Sequence, residues 1–339
     1  MARIATYVQS VRDEEEYVIL VDNGDVIQGN IMTDDLYNKR EGEHPVMRAM
    51  NLLGYDAMTL GNHEFNFGED LIKRIQILAN FPVLAANMAR VDGTMAALPY
   101  TIVTRGGVKV GIIGLTNPNA PRWDGEKTDP FVFSAVGPAA RRAIDIIADK
   151  VDVIVVVSHV GIYPEYDEEG GSDGANKILE LCPEIDVLIV GHDHNTIKEI
   201  RGNTVIGGTR NLAREVIRID LALDGNKRVV DRAIAIVDMA DYEPSDLIRG
   251  NAFIVEAHEE TRDYILGGPV GGPVGHACSV ATAGDIVNTG HRTPVWPGSR
   301  RGTPGARGIA RCPHRRSGGA HERRSVPRTD VPSPADRAG

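Results

Sequence analysis

Four short stretches hold residues able to bind a divalent cation or move a proton. Asp25 lies in DNGDVIQG, Asn62 and His63 in LGNHEFNFG, His159 in VVVSHVG, and His192 and His194 in IVGHDHN. Asp, Asn and His together form a hard-to-borderline donor set suited to Mn, Fe or Zn, and unlike a thiolate site. Glycines adjoin the candidate ligands in three of the stretches, so backbone can approach a ligand closely there. One isolated Asp or His of this kind is more often a helix cap or a hydrogen-bonded core histidine. Four such stretches in one chain argue for a shared site.

The elements that must position them follow from periodicity. YVILVDNGD (17–25), GVKVGIIGLT (107–116), VDVIVVVSH (151–159) and IDVLIVGHDH (185–194) are short, β-branched apolar runs. Between them 44–54, 69–78, 137–150 and 174–181 have helical patterns. This alternation predicts α/β layers with the continuous runs buried on both faces. In such sheets ligands bind outside the carboxyl ends of strands, where the polar residues gather. After Gly191 the runs NTVIGG, EVIRIDLAL and RVVDRAIAIVDM predict a meander finishing a second sheet. Residues 243–264 predict a helix. His44 precedes Pro45 at a helix start, so its reading is structural.

Composition narrows the class. The chain has 339 residues, 42% hydrophobic and 25% charged, which suggests roughly two domains on a prior of about 150 residues each. The longest apolar run, 153–157, is far short of the ~18 residues of a membrane helix. Three scattered cysteines (Cys182, Cys278, Cys312) form no disulfide framework and no thiolate zinc site. The net charge of -10 has two unlike parts: from His276 onward there are 11 Arg, no Lys and 4 acids, against 26 basic and 43 acidic residues before it. The acidic body argues against a nucleic-acid partner. The tail is rich in Arg, Gly and Pro and has one aromatic, Trp296, so it is expected to be disordered.

The blocks GDVIQG (24–29), GNHEFNFG (61–68), SHVG (158–161) and GHDH (191–194) resemble, in order and spacing, those of the calcineurin-like metallophosphoesterases. VDNGDVIQGN, HPVMRAMNLLGYDAMTLGNHEFNFG and GLTNPNAPRWDG look like the bacterial 2',3'-cyclic-nucleotide 2'-phosphodiesterase/3'-nucleotidase group of the 5'-nucleotidase superfamily, over roughly residues 2–275. The resemblance implies a four-layer α-β-β-α sandwich, with a catalytic domain over 1–240, a linker helix region over 241–275 and the tail over 276–339. It implies two divalent ions (Mn, Zn, Fe, Co or Mg) that activate a hydroxide to hydrolyse a nucleotide or cyclic-nucleotide phosphoester. Asp25 would bridge the ions, Asn62, His159 and His192 would complete one, and His194 would bind the other. His63 would act beside the leaving-group oxygen as acid or charge stabiliser. Asn66 stands where many 5'-nucleotidases carry an Asp supporting that histidine, which fits the cyclic-nucleotide branch and gives His63 no carboxylate from this position.

Two departures qualify these expectations. No Asp-x-His block precedes Asp25, and the opening ARIATYVQSVR looks like the helix that follows that block. The first strand is thus expected to be missing, leaving unpaired edges and only Asp25 and His194 for one ion. The likeness also stops after about GGPVGHA, before the family's base-binding domain. The alternative reading is therefore an inactive fragment binding at most one ion. Without a signal peptide the chain as written is expected in the cytoplasm, whereas intact relatives are periplasmic or at the cell surface.

Overall fold

The computed structural model describes residues 1–166 and 173–267. The tail over 276–339 lies outside the described residues, as do 268–275 and part of the polar loop after His159. The N-terminal half holds α1 (Ala2–Glu14), β1 (Val21–Asp22), α2 (Pro45–Leu53), β2 (Ala57–Thr59), α3 (Glu69–Leu78), β3 (Val83–Leu84), β4 (Met88–Arg90), β5 (Tyr100–Arg105) and β6 (Val108–Leu115). Then come α4 (Ala120–Asp124), β7 (Phe131–Phe133), α5 (Val136–Ile147), β8 (Val153–Ser158), α6 (Ala175–Leu181) and β9 (Val187–Val190). Strands β10 (Ile197–Arg201), β11 (Thr204–Gly208), β12 (Glu215–Leu223) and β13 (Val229–Asp238) precede α7 (Asp246–Arg249) and α8 (Ala252–Ile265).

Strands β1, β2 and β3 form a parallel three-stranded sheet, and a six-stranded sheet runs in the order β10-β11-β9-β8-β6-β5. Its centre, β6, β8 and β9, is parallel. Successive side chains of a strand point to opposite faces, and β8 shows the result. Val153 and Val157 pack with Ala57 and Leu84 between the two sheets, while Ile154 and Val156 pack under α5 and α6 with Ala140, Ile144 and Ile178. A third apolar layer joins Met58 and Val83 to α1, α2, α3 and α8 through Tyr7, Met50, Ile72 and Ile254. Three packed interfaces make four layers, helix-sheet-sheet-helix, as the family resemblance implies. Burial on both faces explains why these strands read as unbroken apolar runs.

The structure departs from the expected elements in three places. The expected meander does not form: β11 joins the six-stranded sheet beside β9, an unforeseen β10 pairs with it, and β12 and β13 form a separate hairpin. The strand expected over 17–25 contracts to Val21–Asp22, because Leu20 N–H is taken by the Asp56 carboxylate at 2.9 Å and Gly24 turns the chain at φ +88. The helix expected over 243–264 breaks at Gly250, and Asn251 restarts it by accepting from Ile254 N–H at 3.3 Å. Strand β1 has one ladder neighbour, β2. A cleft of about 430 Å3 lies between residues 17–20 and β12, lined also by Tyr7, Val8 and Val11. Among the described residues no ladder joins the three-stranded sheet to the hairpin.

Candidate metal centre

The site forms where β1, β2, β8 and β9 end. The loops after β1 and β9 carry strained backbone. Asp25 (φ 62), His192 (φ 67) and His194 (φ 56) are three of the six non-glycine residues with positive φ among the described residues. Side chains rarely adopt this conformation, and such outliers cluster at functional sites.

Two loops are held in near contact. A Cβ on Gly24 would lie 2.3 Å from Gly61 N, and a Cβ on Gly61 would lie 2.2 Å from Asp25 Oδ1. Only glycine at both positions lets the backbones approach this closely. Glu64, fully buried, fastens the same two loops. Its Oε2 accepts from Asp25 N at 2.9 Å and Gly61 N at 2.7 Å, and its Oε1 from Val26 N at 2.9 Å. Burial and the neighbouring Asp25 charge push the Glu64 carboxyl up to about 7 against these donors. Asp25 Oδ1 in turn accepts from His63 N at 2.8 Å.

Asp25, His159 and His192 converge, with one ligand atom from each lying within 4.8 Å of the others, the one such His/Cys/Asp/Glu group among the described residues. Ligand atoms gathered this closely are candidates to share one ion. Asn62 joins them, its Oδ1 accepting from His192 Nδ1 at 2.9 Å. His159 Nδ1–H donates to the Asn23 carbonyl, which fixes the ring and leaves Nε2 as the ligand atom. That Nε2 is 2.9 Å from Asp25 Oδ2, an ion pair when the ring is protonated. A carboxylate, an amide oxygen and two imidazoles suit a hard-to-borderline divalent ion.

The electrostatics express the same convergence. Burial disfavours charge on both His159 and Asp25, but each is overruled by the other. The Asp25 carboxylate lifts His159 to about 9, and the His159 charge, helped by His63, holds Asp25 below the usual carboxylate range. Asp22, half-buried, has its carboxyl pushed up to about 6 by desolvation.

Of the residues singled out in sequence, Asp25, Asn62, His159 and His192 are brought together, and His63 adjoins them. His194 is exposed and outside the converging group. His44 is buried, its Nε2–H donating to Asn38 Oδ1 at 2.9 Å and its Nδ1 accepting from Val46 N at 3.3 Å at the start of α2. Sequence reading missed the parts played by Glu64, Glu165 and Asp124. Glu64 was inside a quoted block but had no role. Glu165 Oε2 sits 2.9 Å from His192 Nε2, and the Trp123 ring lies 5.2 Å from the His192 ring. Asp124 accepts from Asn66 Nδ2 at 2.8 Å, while Asn66 Oδ1 faces His63 Nδ1 at 2.7 Å. No spacing rule links positions 66 and 124.

The Calcineurin-like phosphoesterase family profile matches residues 1–196, more than half of the chain. The chain belongs to this family. It is 31% identical over 301 residues to the trifunctional nucleotide phosphoesterase protein YfkN of Bacillus subtilis, covering 78% of this chain and 20% of that protein. The 2',3'-cyclic-nucleotide 2'-phosphodiesterase/3'-nucleotidase of Salmonella typhimurium is 29% identical over 231 residues, covering 62% of this chain and 36% of that protein. The crystal structure of calcineurin-like phosphoesterase YfkN from Bacillus subtilis superposes with TM-score 0.68 at 27% identity, covering 78% of this chain and 90% of that one. The chain thus spans about a fifth to a third of these two curated relatives' length. Among the described residues no helix is long and apolar enough to cross a membrane.

Proposed function

We propose that this chain is the metal-dependent catalytic unit of a phosphoester hydrolase acting on nucleotides, 2',3'-cyclic nucleotides foremost. The carrying observation is the convergence of Asp25, His159 and His192 with Asn62 at the ends of four strands, beside His63. The names of the relatives support the nucleotide class, and Asn66 supports the cyclic-nucleotide preference.

A divalent ion held there supplies a Lewis acid toward the phosphoryl oxygens and an activated water as nucleophile. The chain's own residues do the rest. Asp25, Asn62, His159 and His192 would hold the ion, with the Asn23 carbonyl orienting His159 and Glu64 holding the Asp25 loop against the Gly61 loop. His63 stands next in chain to Asn62, in reach of a leaving-group oxygen, as acid or charge stabiliser. In the two-ion form of this reading Asp25 and His194 would help to hold a second ion; a single ion is the weaker-catalysing alternative.

The test counts metal per chain after loading with manganese and follows hydrolysis of bis-p-nitrophenyl phosphate and of 2',3'-cyclic AMP against 5'-AMP. Two ions with turnover support the two-ion form, and one ion with slow turnover the other. A purified, folded chain that binds manganese and hydrolyses none of the three refutes the reading.

A further inference from the structure

The hydrogen-bond chain His63–Asn66–Asp124 has a direction. Asp124 is 8% exposed, and an ionised carboxylate can only accept. Its Oδ1 is 2.8 Å from the Asn66 amide nitrogen, and Lys127 Nζ stands 3.7 Å from the same oxygen, so donors gather on that oxygen. The Asn66 amide must therefore turn its NH2 to Asp124. Its oxygen is left for His63 Nδ1, 2.7 Å away, and an amide oxygen can only accept. His63 Nδ1 must then carry a proton. An asparagine alone fixes nothing, because its two ends exchange by a half turn of the amide and either ring tautomer would be matched. The buried acid at position 124 removes that freedom.

We infer that Asp124 is a positioning residue for His63: acting through the Asn66 amide, it locks the ring with Nδ1 protonated and Nε2 as the atom left for the reaction. This deepens the proposed function and rests on it for its catalytic meaning, but not for its geometry. Position 66 supplies no carboxylate to His63, as the sequence implies. One is supplied from the end of α4, one amide further out. The second carboxylate oxygen, Asp124 Oδ2, is buried without a hydrogen bond, so the full acceptor demand of this carboxylate falls on its other oxygen.

The experiment uses the full chain, metal-free, with 15N-labelled histidine at pH 8.5, where an ordinary imidazole is neutral. His63 is assigned by the signal absent from His63→Gln. The wild type should show the Nδ1–H tautomer, and Asp124→Ala should move His63 toward the Nε2–H form that free imidazole side chains favour. With metal and a phosphodiester substrate, Asp124→Ala should lower kcat on the order of tenfold with KM within about twofold, since position and not binding is lost. An exchange supplies the rescue. Asn66→Asp alone sets two carboxylates face to face and should be impaired. Asn66→Asp with Asp124→Asn restores donor to acceptor and should recover kcat to within about threefold of wild type. If Asp124→Ala does not fold, the exchange pair carries the test alone. A wild-type Nε2–H tautomer, or a double variant no better than Asn66→Asp, overturns the inference. An Nδ1–H tautomer in a chain without phosphodiesterase turnover leaves the relay standing and sinks the proposed function instead.

Discussion

Replacing Glu64 with Ala should loosen the metal centre by unfastening two loops. The carboxylate is fully buried and accepts from three backbone N–H groups, those of Asp25, Val26 and Gly61. A buried donor left without an acceptor costs roughly 1–3 kcal/mol. Three such donors sharing one cavity are not independent, and water entering the space recovers part, so the expected loss is about 4 kcal/mol. At roughly 2–4 °C per kcal/mol for a chain of this size, the melting temperature should fall by about 8–16 °C. Glu64→Gln, which keeps one acceptor oxygen but sets its NH2 against a third N–H, should fall between wild type and Ala. Urea unfolding of the metal-free chain gives the stability, with a constant slope confirming that compactness is unchanged. Calorimetric titration with manganese gives the affinity, expected to drop at least tenfold because the Asp25 backbone is no longer pinned. A stability loss below about 1 kcal/mol, or an unchanged affinity alongside the full loss, would falsify the view that Glu64 holds the Asp25 loop in its ligating position.

Three further outcomes follow from the same geometry. Gly61→Ala should weaken manganese binding and lower the melting temperature, since the new Cβ would meet Asp25 Oδ1 at 2.2 Å; unaltered affinity by titration would show the loops can part freely. Because Asp25 raises His159 to about 9, metal must displace a proton from it, so apparent affinity should rise about tenfold per pH unit up to pH 9. The same pair stabilises the metal-free fold fully below pH 6.5 and loses that contribution as pH rises through 9; a flat affinity between pH 7 and 9 would remove this account. His44 is pushed down to about 3 by burial, so it stays neutral in the fold while the unfolded chain charges it below pH 6.5. Its contribution therefore falls as pH drops from 6.5 toward 3, and the stability gap between wild type and His44→Gln should shrink over that range in denaturant titrations.

What could be read from sequence divides along physical lines. The layered α/β fold was legible because β8 and β9 are buried on both faces and so appear as unbroken apolar runs, which local pattern records directly. Asp25, His159 and His192 were legible as candidates because each closes a run read from sequence, whereas Asn62 follows a strand of three residues, β2, that periodicity did not mark. The pairing of β11 with β9 was not, since NTVIGG reads alike in a hairpin or beside a parallel strand, and ladder partners are chosen by tertiary packing. Nor was Asp124: its link to Asn66 crosses 58 positions, and only folding brings the end of α4 over the Gly61 loop. The loss of β1 residues had a similar origin, a side-chain acceptor, Asp56, taking the Leu20 N–H that a ladder would have used.

The left-handed backbone at His192 and His194 sets this protein against anyone who would make it hardier. Each histidine holds a conformation that costs on the order of 1–3 kcal/mol for a non-glycine residue, and Gly or Asn at either position would relieve it. Random mutagenesis selected for heat resistance alone should therefore enrich Asn or Gly at 192, and in doing so discard a proposed ligand. Selection for turnover would restore the histidine and the strain with it. Robustness and activity pull on the same two dihedral angles, so a thermostable library of this chain should be screened for metal retention before anything else.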